Sequence, residues 1–101
     1  MNESKKQALK AAGWVMGDAE EFLELTVEER QLVELRGAVS RAVRALRERQ
    51  NLTQTLVARK LKTSQPRIAR LESGASDVSL DLMFRGLFAL GGTIKDLRIV
   101  R

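Results

Sequence analysis

Cysteine, histidine and tyrosine are all absent from this chain of 101 residues. Without cysteine there is no disulfide, no thiolate zinc site and no thiol nucleophile. Without histidine the commonest general base and the commonest transition-metal ligand are missing. No constellation of lysines or paired carboxylates replaces them, so the chain is not expected to be an enzyme, and no cofactor or metal is implied. No apolar run reaches the roughly 20 residues of a membrane-spanning helix. The opening Met-Asn-Glu-Ser-Lys-Lys lacks the apolar stretch of a signal peptide, and a cytoplasmic protein is the expectation. Repeats and low-complexity tracts are also lacking. There is one proline, Pro66.

What is present is an ordinary apolar content of 44%, enough for one modest core, and a strongly uneven charge. Residues 1–36 hold 5 Lys/Arg and 8 Asp/Glu, a net −3, whereas residues 37–101 hold 13 Lys/Arg and 5 Asp/Glu, a net +8. Within residues 41–70 there are 9 Lys/Arg and one acid, Glu48. A basic excess this local points to a polyanion, most economically nucleic acid. The acidic run Glu20–Glu34 is read first as a solvated face, and second as a surface that shields the basic half or meets a basic partner.

Capping signals and apolar spacing make the chain all-α, with an acidic, partly helical extension over 1–36 and a basic helical domain over 37–101. Residues 1–12 are lysine-rich and compatible with a helix. Gly13 and Gly17 bracket Trp14, a packing or subunit-contact residue. Asp18 with Glu21, and Thr26 with Glu29, are capping-box pairs that open helices at Ala19 and Val27. The second runs to about Gln50, with Leu32, Leu35, Val39, Ala42, Val43 and Leu46 on one stripe. Gly37 weakens it by roughly 1 kcal/mol, enough for a break or kink. Asn51 suits the left-handed position that ends a helix. Thr53, Ser64 and Ser79 then cap helices at about 54–61, 65–73 and 80–90. Met83, Phe84, Leu87 and Phe88 in the last of these are read as core. For 93–101 two readings stay open: Thr93 with Asp96 as one helical turn, or Leu97, Ile99 and Val100 as an edge strand.

Residues 53–74 carry the function. Two short helices joined by a tight turn must cross closely, and Ala58 is the small residue that allows it. Val57, Leu61, Ile68 and Leu71 form their shared core, while Pro66, Arg67 and Arg70 fall on the opposite arc of the second helix. A helix with long cations on its outer face fits the DNA major groove, where arginine is the preferred donor to guanine O6 and N7. Pro66 in the first turn costs no hydrogen bond, and is placed to press on a thymine methyl. Gln65 can reach a base edge or phosphate, and Gln54 a phosphate. The candidate DNA-binding set is Thr53, Gln54, Ser64, Gln65, Pro66, Arg67 and Arg70.

Leu52-Thr53-Gln54, Ala58, Thr63-Ser64-Gln65, Ile68, Leu71-Glu72, Ser73-Gly74, Ser79-Leu80 and Leu87 to Gly91 together resemble the XRE family, the lambda-repressor/Cro-type helix-turn-helix, over about residues 37–98. The resemblance implies a compact five-helix lambda-repressor-like domain that binds double-stranded DNA as a transcriptional regulator. It also implies a structural ion pair between Arg47 and Glu72, locking the recognition helix to the scaffold. One position departs from the family pattern: Lys62 stands where the turn usually has glycine. Either Lys62 takes the left-handed conformation at a cost of roughly 1 kcal/mol, or the turn is built differently. The expected role is a homodimeric repressor, its dimer surface drawn from helix 80–90, the tail or the N-terminal extension. The alternative is an antitoxin that neutralises a toxin partner through the acidic N-terminal third and regulates its own operon.

Overall fold

The computed structural model describes residues 24–98. The expected helix over 1–12, the loop around Trp14, the Asp18 cap with most of the helix after it, and Ile99 and Val100 lie outside the described residues. Four α-helices and one 3-10 turn follow in order: α1 (Val27–Arg49), α2 (Gln54–Lys60), α3 (Gln65–Glu72), α4 (Leu80–Ala89) and the turn Ile94–Asp96.

Local chemistry fixes every boundary. Each α-helix opens on a Ser or Thr whose hydroxyl accepts a backbone N–H from the first turn: Thr26 from Glu29, Thr53 from Leu56, Ser64 from Arg67 and Ser79 from Leu82. At Thr26 the Glu29 carboxylate reciprocates by accepting the Thr26 N–H at 2.9 Å, completing a capping box. That bond holds the Glu29 carboxyl below its ordinary pKa.

Each helix also closes the same way. A residue at positive φ follows the cap (Asn51 at 58°, Lys62 at 57°, Gly74 at 76° and Gly91 at 84°). The next N–H returns to a carbonyl five residues earlier: Leu52 to Arg47, Thr63 to Ala58, Ala75 to Arg70 and Gly92 to Leu87. The turn at Lys62 therefore keeps the geometry a glycine would give, and Lys62 carries the left-handed strain itself.

Three expectations change in the structure. Gly37 does not break α1, which is helical throughout 27–49. The neighbouring Ala38 and Val39 are fully buried, and this packing offsets the weak helix propensity of glycine. Leu32 is 50% exposed, because the first turns of α1 lie beyond the core. In α4, Met83 and Leu87 are fully buried but Phe84 is only partly so and Phe88 is 52% exposed. The two rings lie 5.8 Å apart on the rim.

The fifth element is shorter than a helix. Thr93 and Asp96 form a capping box around three residues, and Leu97 leaves it in extended conformation. Thus the fifth helix that the resemblance implied is, among the described residues, a single 3-10 turn.

The core joins all four helices: Val39, Val43 and Leu46 of α1, Val57 and Ala58 of α2 with Leu61 at its end, Ile68 and Leu71 of α3, and Met83 and Leu87 of α4. Behind α4, Gly92 is wedged against α1. A Cβ there would stand 2.5 Å from Leu87 Cδ1, 2.6 Å from Leu46 Cδ1 and 2.9 Å from the Leu87 carbonyl oxygen. The carbonyl cannot swing aside, so Gly92→Ala is expected to lower stability by about 1–3 kcal/mol, an overpacking cost. Urea unfolding checks this through a lower midpoint at unchanged slope.

Candidate nucleic-acid interface

The outer surface of α3 follows from the burial of its inner one. Ile68 and Leu71 are fully buried, which fixes the roll of the helix. Gln65, Pro66, Arg67 and Arg70 are consequently exposed. Ala69 between them is half-buried and adds no bulk. Pro66 sits in the first turn, where no backbone donor is lost. Arg59 and Lys60 in the last turn of α2, and Lys62 in the turn between the helices, are exposed too.

Four of the seven sequence-derived candidates fall into two pairs. Thr53 and Ser64 spend their hydroxyls as helix caps, so each accepts a backbone hydrogen bond while remaining exposed. Gln54 and Gln65 are brought together: Gln65 Nε2 donates to Gln54 Oε1 at 2.8 Å. Gln54 Nε2 in turn donates to Glu72 Oε1 at 3.2 Å. Gln54, expected only as a phosphate contact, commits part of its amide to holding Gln65.

The chain of bonds continues inward. Arg47 grips Glu72 with two parallel bonds, Nε to Oε2 at 2.6 Å and Nη2 to Oε1 at 2.9 Å. The third guanidinium nitrogen, Nη1, donates to the Leu52 carbonyl at 2.9 Å. The Glu72 side chain is 5% exposed and that of Arg47 is 15% exposed. Hydrogen bonding to Glu72 raises the Arg47 pKa further above its ordinary value, so the guanidinium stays charged at any working pH. A continuous path of side chains therefore links Gln65, at the tip of α3, through Gln54 and Glu72 to Arg47 on α1. It fixes both ends of the recognition helix against the scaffold.

Two partners carried no sequence signal. Asp77, in the loop after α3, pairs with Arg70: Nη2 to Oδ1 at 2.7 Å, and Nε to both carboxylate oxygens at 3.1 Å. Both side chains are more than half exposed. The bonds from Arg70 hold the Asp77 carboxyl below its usual range. The small stabilisation they give is present above the ordinary aspartate pKa and fades as pH falls through the depressed one. Arg36 of α1 reaches the Val78 carbonyl and the Met83 sulfur, tying down the far end of the same loop. Asp77 lies beyond the turn that ends α3, and Arg36 is 42 residues from Val78, so helical spacing predicts neither pairing.

On α1, Arg44 pairs with Glu48 at 2.9 Å and Arg41 donates to the Arg98 carbonyl at 2.5 Å. Both arginines are engaged within the protein. Among the described residues no helix is long and apolar enough to cross a membrane.

Residues 43–85 match the model of a family described as helix-turn-helix. The match begins within α1, spans α2 and α3 completely and ends within α4. No curated protein and no solved structure matches the chain significantly.

Proposed function

We propose that this chain, whose residues 43–85 form an XRE-type helix-turn-helix of a DNA-binding transcriptional regulator, is a sequence-specific repressor that reads the major groove with α3. The observation that carries this reading is the exposed face Gln65, Pro66, Arg67 and Arg70 on a helix whose opposite face is wholly buried. Side chains on such a helix reach base edges, while Thr53, Gln54, Ser64 and the neighbouring cations meet phosphates. Repression by occupying a promoter needs nothing beyond this module.

One module makes few contacts, and a homodimer on half-sites about 34 Å apart doubles them. The exposed Phe88 and the 69% exposed Ile94 give the rim of α4 and the following turn the apolar character of a subunit contact. A second reading, an antitoxin that captures a basic toxin, is supported by the net −3 of residues 1–36.

Fluorescence-anisotropy titrations separate the readings. The expected result is preference for DNA from the protein's own upstream region over a scrambled duplex by about a thousandfold, with affinity falling steeply as salt rises. Weak and equal binding to both, with a basic protein co-purifying from the native host, would favour the antitoxin instead.

A further inference from the structure

Arginine has two edges that can each make a pair of parallel hydrogen bonds: the side edge, Nε and Nη2, and the end edge, Nη1 and Nη2. Asp77 occupies the side edge of Arg70, taking both Nε and one hydrogen of Nη2. The end edge keeps its two parallel N–H groups, which is the geometry that matches O6 and N7 of guanine. We propose that Asp77 is a specificity-determining residue: it holds the Arg70 guanidinium so that its end edge reads one guanine in the major groove.

The inference rests on α3 being the reading helix, and it goes beyond that reading by assigning a base and a residue outside the helix-turn-helix pair. Three observations support it. A bare arginine on a helix surface samples many rotamers, and ordering it on binding weakens affinity. The bonds to Asp77 order it before DNA arrives. Arg70 lies near the end of α3 and Asp77 in the loop after the Gly74 turn, so the partner that holds the guanidinium comes from outside the helix itself. A carboxylate at a polyanion-binding surface also repels phosphate, so an arginine that only contacted the backbone would be better served without it.

The test is enrichment from a pool of random duplexes by the intact wild-type protein, D77N and R70A, each checked by thermal unfolding. All three are expected to fold alike, since both side chains are exposed. Wild type is expected to enrich a site with an obligatory guanine that R70A no longer selects. D77N is expected to lose five- to twentyfold of the preference for that same guanine, while binding scrambled duplex at least as tightly as wild type, because a negative charge has gone. If D77N keeps the full guanine preference and merely binds all duplexes tighter, Asp77 is a competitor of DNA and the proposal is wrong. If R70A weakens all duplexes equally, Arg70 is a phosphate contact and the proposal is again wrong, with the reading helix intact. If wild type enriches nothing, the reading function itself fails and takes this assignment with it.

Discussion

Replacing Glu72 with alanine is expected to lower stability by about 3 kcal/mol or more, a far larger loss than truncating any exposed polar side chain of the domain would cause. The carboxylate is almost completely buried and accepts two bonds from Arg47 and one from Gln54. Its loss leaves the largely buried Arg47 guanidinium with the Leu52 carbonyl and, at 3.8 Å, the half-exposed Glu48 carboxylate. Removing one member of a buried ion pair costs about 3–5 kcal/mol, chiefly through the charge left behind. For a domain of this size, 3 kcal/mol corresponds to a fall in Tm of roughly 12–24 °C. A double-mutant cycle distinguishes the pair from its surroundings. Arg47→Met combined with Glu72→Leu is expected to recover much of the loss, because both charges then disappear together. Additive losses in the double variant would show that the two residues contribute independently.

Arg67→Ala is expected to act in the opposite sense, on binding and not on folding. Arg67 is exposed on the outer face of α3. If it makes a bidentate contact to a base, truncation costs about 1–3 kcal/mol, a five- to 150-fold loss of affinity for the selected site. Scrambled duplex should lose far less, by the single phosphate-range charge removed. Thermal unfolding of the variant should be unchanged within about 0.5 kcal/mol, as for other surface substitutions. Equal losses of stability in Arg67→Ala and Glu72→Ala would mean that the two faces of α3 have been assigned the wrong way round.

The contrast between these two residues shows what was legible in the sequence. Ser/Thr caps, the apolar spacing of Val57, Ala58, Leu61, Ile68 and Leu71, and the terminating Asn51 and Gly74 are local signals, and the helix boundaries of α2 and α3 follow from them within a residue. Burial at the ends of elements was less legible. Leu32 and Phe88 satisfy a helical stripe as well as their buried neighbours do, but periodicity does not say where the core stops. Lys62 could be read either way because propensity alone opposes the left-handed conformation. In the structure its turn bonds to Arg59 and Ala58 outweigh about 1 kcal/mol of strain. Links across the fold, such as Gln54 to Glu72 and Arg36 to Val78, depend on tertiary placement and left no trace in spacing, and the Arg70–Asp77 pair depends on the loop path after Gly74.

Those links also change how the interface is understood. The recognition helix is fixed by a chain of hydrogen bonds that begins at its own tip and ends on α1, so Gln65 is presented by the scaffold and not by α3 alone. Gln54 thereby serves two ends, orienting Gln65 and completing the shell around Glu72. The same economy holds at the other end of the helix, where Asp77 engages Arg70.

The most direct test of the central claim is an amide NMR titration of the intact protein with a duplex from its own upstream region. If α3 lies in the major groove, the largest shift changes will cluster at Thr53, Gln54 and Ser64 to Arg70, with the amides of α4 little affected. Changes centred instead on Phe84 to Phe88, or spread evenly with none at Arg67 and Arg70, would contradict the account.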